Sequence, residues 1–143
     1  MFMFIKHRIR STIILFLIWL SVPALYVYAS LNDYADSFTL ILFFMSTTFM
    51  IFGLIFYMGN AQIIAGFNSM SSNELKEYDM ERVSVISGLC WFSMSLIVFH
   101  GAMLISVMIG EIVSVLFSII VILIGMVIWS ISISCKRFCK GEN

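Results

Sequence analysis

Charge is scarce in this chain and proline nearly absent. Asp, Glu, Lys and Arg together make 11% of its 143 residues, and Pro23 is the one proline. Soluble domains carry roughly a quarter of their residues charged, so a water-soluble globule is excluded. The formal net charge is zero, without the basic excess that binding to a phosphate backbone requires, and no nucleic-acid partner is expected. Three cysteines, Cys90, Cys135 and Cys139, supply no disulfide framework. There is no phosphate-cradling glycine loop, Ser-His-Asp set, carboxylate pair or metal signature, so the chain reads as non-enzymatic, with no cofactor, metal or catalytic residue.

What is present is apolar. The composition is 62% hydrophobic and the mean hydropathy +1.07. Four runs are long enough to cross a hydrocarbon core about 30 Å thick, which takes about 20 residues of helix. They cover residues 11–31, 37–58, 84–109 and 112–134. None shows the alternation of a membrane strand. The fold class is therefore all-α, an integral membrane four-helix bundle in a single domain over 1–143. Short turns are expected at Asn32–Asp36 and Gly110-Glu111, with a longer segment over 59–83.

Charge is sorted by side. Lys6, Arg8 and Arg10 precede the first run, Lys76 and Arg82 lie between the second and third, and Lys136, Arg137 and Lys140 follow the fourth. The other two gaps carry only Asp33, Asp36 and Glu111. Basic residues near helix ends stay in the cytosol. A four-span topology with both termini and segment 59–83 inside satisfies all eight cations. The first run has a second reading, because Lys6–Arg10, the apolar stretch and Val27-Tyr28-Ala29 resemble a signal peptide with its cleavage site. The length of the run and the bulky Leu25 and Tyr28 favour an uncleaved anchor.

Small residues suggest how the last two spans pack. Gly88, Ser95 and Ala102 recur every seven positions, as do Ser118, Gly125 and Ser132. Folding back at Glu111 pairs Ala102 with Ser118, Ser95 with Gly125 and Gly88 with Ser132. Small residues let backbones approach where lipid supplies no hydrophobic drive.

Polar residues gather in one segment, Gln62 to Arg82. Ser71 with Glu74 makes a capping box, so a short helix from Ser72 toward Arg82 is expected along the cytosolic interface, with Leu75, Tyr78 and Arg82 near one face. Gly66 would permit the bend that ends span two. Gly66, Phe67, Asn68, Met70, Ser71, Glu74, Tyr78 and Asp79 form the candidate interaction surface for a protein partner.

The run Ile63-Ile64-Ala65-Gly66-Phe67-Asn68-Ser69-Met70-Ser71, with Glu74-Leu75-Lys76 and Tyr78-Asp79, resembles the I-A-G-Y-N-T-M-S-x-E-E-K-x-x-Y-D segment of a small prokaryotic membrane family, domain of unknown function 3784. Members of that family place the segment after one span and follow it with two more, matching spans two to four here. This chain departs in Phe67 for Tyr, Ser69 for Thr, one extra residue before the acidic part, and an additional first span. The resemblance implies an inner-membrane protein of a bacterium or archaeon and no assigned activity.

His100 is the one ionisable side chain deep in a span, which makes it a functional suspect. Glu111, eleven residues on, is about 16 Å away along a helix and no direct partner on that helix. A neutral imidazole hydrogen-bonded to a Ser or a carbonyl of a neighbouring helix is the favoured reading; a place on a transport pathway is the alternative. Cys135 and Cys139 share a helix face, yet two sulfurs do not close a zinc site. The eleven methionines are scattered and read as packing residues. Two functions follow as expectations. One is an accessory, regulatory or protective membrane subunit acting through its cytosolic segment. The other is a small homo-oligomeric transporter or channel whose path runs past His100.

Overall fold

A computed structural model describes residues 2–32, 37–59 and 78–134. Every element among them with more than a single bridging residue is helical: α1 Phe2–Trp19, α2 Ser21–Leu31, α3 Ser37–Tyr57, α4 Met80–Leu96, a π-turn Ile97–Gly101, α5 Ala102–Met108 and α6 Glu111–Ser134. By length and composition they make four candidate membrane spans, Arg10–Leu31, Ser37–Tyr57, Met80–Met108 and Glu111–Ser132. The four-span, all-helical reading of the sequence is thus met.

Pro23 explains why the first span is two helices. Lacking an N–H, it cannot donate to the Trp19 carbonyl four residues back. The ladder loosens at Leu20 but does not part, because the Leu20 and Ala24 N–H groups still reach Phe16 and Leu20 oxygens at 3.0 and 3.2 Å. The span closes at Asn32, whose side-chain amide donates to the Tyr28 carbonyl at 2.8 Å.

The second span ends at Tyr57, within a residue of the end of its apolar run at Met58. Gly59 holds φ +106°, the left-handed conformation with which helices commonly terminate, and its N–H reaches the Phe56 carbonyl at 3.0 Å. Gly66 lies outside the described residues. The third span begins earlier than its apolar run. Met80, Glu81 and Arg82 are already its first turn, and Asp79, non-helical at φ −79° and ψ 81°, is its N-cap. The tip between spans three and four is Gly110 at φ +129°, tighter than expected. Glu111 already opens α6, where its charge complements the positive end of the helix.

The third span is the most buried and the fourth the least. The most extensive interface lies between α3 and α4, and there the small residues take a different partner from the one expected. Ser95 faces Ser46, and Gly88 faces Gly53 and Tyr57, all on span two. A Cβ on Gly88 would come within 2.6 Å of Tyr57 Cβ and 2.8 Å of the Gly53 oxygen. Span two carries its own heptad of small residues, Thr39, Ser46 and Gly53, each buried. The two stripes meet as an antiparallel close-packed seam.

Spans three and four pack by a different rule. Small residues there receive large ones: Gly101 faces the Phe117 ring and Gly125 the Met94 sulfur. Ala102 meets Ser114, one turn nearer the tip than Ser118, through a hydrogen bond from the Ser114 hydroxyl to the Ala102 carbonyl at 2.6 Å. Filling a notch with a bulky side chain gains dispersion contacts that two small residues facing each other cannot supply, so the expected small-to-small pairing of these two spans is replaced.

Candidate functional site

His100 occupies the π-turn. A π-turn inserts an extra residue into the helical ladder and recurs at functional positions. Its ring is half-buried and both nitrogens are engaged: Nδ1 lies 3.1 Å from the Leu96 carbonyl and Nε2 lies 3.1 Å from Ser21 Oγ. A carbonyl only accepts, so Nδ1 carries the proton. The Ser21 hydroxyl can donate to Nε2 or accept from it, so it serves as a partner in either ring form.

Ser21 is the first residue after the break at Leu20, so the bond joins the loosened point of span one to the widened turn of span three. The expected Ser and carbonyl partners of His100 are both found, though the carbonyl belongs to its own helix. Nearby, Tyr26 stacks on Phe43 with ring centroids 4.8 Å apart, and Val22 and Ala29 are buried. Span one is held by these contacts and by the Ser21–His100 bond.

Of the eight surface candidates, Gly66, Phe67, Asn68, Met70, Ser71 and Glu74 lie outside the described residues, as do Cys135 and Cys139. The two that are described serve the bundle. Tyr78 packs against the cluster around Phe56 and Val83. Asp79 Oδ1 accepts the Arg82 N–H at 3.2 Å, with Arg82 Nε 3.9 Å from Oδ2. Segment 72–82 is therefore not one continuous helix: its last three residues belong to span three.

Polar groups inside the bundle are largely spoken for. Ser46 and Ser95 bond each other, Ser114 and Ser118 bond carbonyls, and the Trp129 indole donates to Ser87 Oγ at 3.0 Å. Among the described residues no group of three or more His, Cys, Asp or Glu is placed to hold a metal ion. The indole N–H groups of Trp19 and Trp91 are buried without a partner. Sequence reasoning missed Ser46 and Ser21. The seven-residue recurrence of Thr39, Ser46 and Gly53 was the available signal for the first, whereas nothing local marks Ser21.

The geometry shows four membrane-length helices whose spans are joined by interhelical hydroxyl bonds. A family model described as Domain of unknown function (DUF3784) matches residues 43–139. The chain belongs to this family. The DUF3784 match opens inside span two and takes in the candidate segment and spans three and four, which agrees with the resemblance read from residues 63–79. Span one lies outside it, so the Ser21–His100 bond ties a flanking span to the DUF3784 region. No curated protein and no solved structure matches the chain.

Proposed function

We propose that this DUF3784 protein is a non-enzymatic accessory, regulatory or protective subunit of a prokaryotic cell membrane. Both termini and residues 59–83 face the cytosol, and a short helix after Ser71 lies along the interface. It binds a protein partner through the segment from Gly66 to Glu77. The observation that carries this reading is the sorting of charge along the sequence: all eight Lys and Arg residues precede the apolar run of span one, fall between the runs of spans two and three or follow that of span four, and the other two gaps carry only Asp33, Asp36 and Glu111. Support also comes from His100, whose two ring nitrogens are both occupied by hydrogen bonds, leaving the polar loop as the place for recognition.

A transporter reading is favoured by one feature, the π-turn that carries His100 opposite the break in span one. The two readings part in one experiment. Cross-linking in the native membrane, mild-detergent purification and mass spectrometry identify what accompanies the protein. Because Tyr78 and Asp79 serve the bundle, the loop variant scrambles only Ser71 to Glu77. A partner lost on scrambling and kept in His100→Ala is the expected result. Self-cross-links alone, with solute flux abolished by His100→Ala, would replace the accessory reading with the transporter.

A further inference from the structure

Ser21 and His100 do more than fasten span one. The Ser21 hydroxyl lies 3.1 Å from His100 Nε2, and His100 Nδ1 lies 3.1 Å from the Leu96 carbonyl. An activated nucleophile is marked by a hydroxyl within about 2.6–3.2 Å of a base that a third group orients. All three parts are present. In the neutral ring the proton sits on Nδ1, which faces the carbonyl, and Nε2 offers its lone pair to the Ser21 O–H. The Phe99 ring stands edge-on to the imidazole, with centroids 5.7 Å apart.

Other hydroxyls of the spans have different partners. Ser30, Thr47 and Thr48 donate to the Tyr26, Phe43 and Phe44 carbonyls of their own helices at 2.9, 2.8 and 2.9 Å. A carbonyl accepts a hydrogen bond but does not take the proton from a reacting oxygen, whereas an imidazole does. Ser21 is also an exposed position, as are Ser30 and Thr48. It lies near the middle of the span Arg10–Leu31, about 15 Å from either end at 1.5 Å per residue. The hydrocarbon core is about 30 Å thick, so a reagent reaching Ser21 arrives dissolved in lipid.

We infer that Ser21 is a modification site, an activated serine that accepts an acyl group from a lipid-soluble activated ester. The Ser21 oxygen bonds to the acyl carbon while its proton passes to His100 Nε2. The bond from that carbon to the leaving oxygen breaks, and His100 returns the proton to the departing alcohol. At this depth water is scarce, so the new ester persists as a covalent mark. The site rests on the Ser21–His100 geometry and not on the partner-binding reading, so either can fail alone.

The test places the full chain in phosphatidylcholine vesicles, adds p-nitrophenyl laurate as acyl donor and maps the adduct by peptide mass spectrometry. Wild type is expected to carry laurate on Ser21, formed on the order of 10²-fold or more faster than on Ser30 or Thr48, which lack the base. His100→Gln keeps a polar side chain and removes the base, and is expected to slow the Ser21 reaction about 10²–10⁴-fold. The comparison with Ser30 and Thr48 is made within wild type, so it decides the matter even where the variant fails to fold. Equal acylation of the three hydroxyls, an unmodified Ser21, or an unchanged rate in folded His100→Gln would overturn the site. Steady Ser21-dependent release of lauric acid would overturn it too, because a persisting ester excludes turnover.

Discussion

Ser46 and Ser95 hold spans two and three together by exchanging hydrogen bonds across the seam. Each hydroxyl reaches the other residue's carbonyl, at 2.9 and 2.8 Å, and the two oxygens lie 2.8 Å apart. Both side chains are fully buried. Interhelical hydrogen bonds of this kind contribute about 0.6 kcal/mol on average and up to about 1.7 kcal/mol in a membrane protein. Ser46→Ala and Ser95→Ala should each lower stability. Measured by unfolding in mixed micelles, the double variant should lose less than the sum of the two, with a coupling in that range. Simple additivity would show that the pair is only a spatial coincidence.

Gly88 is the tightest point of the same seam. Its missing Cβ faces Tyr57 backbone nitrogen at 2.7 Å and the Gly53 oxygen at 2.8 Å, and a backbone cannot swing aside. Gly88→Ala should cost about 1–3 kcal/mol, the usual penalty of overpacking. Gly125→Ala meets the flexible Met94 side chain instead and should cost less. Equal losses in the same unfolding measurement would contradict a backbone-limited contact.

Ser21 and His100 should control how firmly span one is attached. With the bond removed by His100→Ala, a cysteine introduced at Val22, buried in the native bundle, should react faster with a membrane-permeant maleimide. Ser21→Ala should produce the same increase, and the two changes together no more than either alone. Independent, additive increases would mean that the two residues hold span one through separate contacts.

The proposed orientation makes its own forecast. A cysteine placed at Asp33 in a background lacking Cys90, Cys135 and Cys139 should react with an impermeant maleimide added outside intact cells. A cysteine restored at position 139 should react only after permeabilisation. The reverse pattern would invert the protein and place its candidate recognition segment outside.

Trp129 donates its indole N–H to Ser87 while its ring stacks on Phe56 and meets Trp91 edge-on, with centroid separations of 6.3 and 5.6 Å. Trp129→Phe keeps an aromatic ring and removes the donor, so it should cost on the order of 1 kcal/mol. Trp129→Ala also empties the space of the ring and should cost several kcal/mol, on the order of 3–5 kcal/mol. A phenylalanine variant as unstable as the alanine one would assign the stabilisation to the hydrogen bond instead of the ring.

Span number, the tight turn near Gly110 and the family were legible in the chain itself, because each rests on local composition or on a contiguous motif. Twenty apolar residues must form a helix wherever water is absent, since every backbone N–H then needs an intrachain acceptor. A motif such as Ile63 to Ser71 is likewise read without knowing its neighbours. Helix ends were less legible. Apolar runs mark where lipid begins: span two ends at its run, beside Gly59, whereas Asp79 caps span three several residues outside its run.

Partner choice belonged to the tertiary structure. Gly88 and Ser95 show in sequence only that some backbone comes close. Span two met them because Ser46 and Gly53 fall opposite in an antiparallel crossing, and Met94 and Phe117 had already filled the notches between spans three and four. His100 likewise announced itself as a polar group needing partners. That Ser21 provides one depends on Pro23 loosening span one at the depth where span three widens, a coincidence in space between residues 79 apart in sequence. Local chemistry states what a side chain requires; only packing decides which distant residue is close enough to supply it.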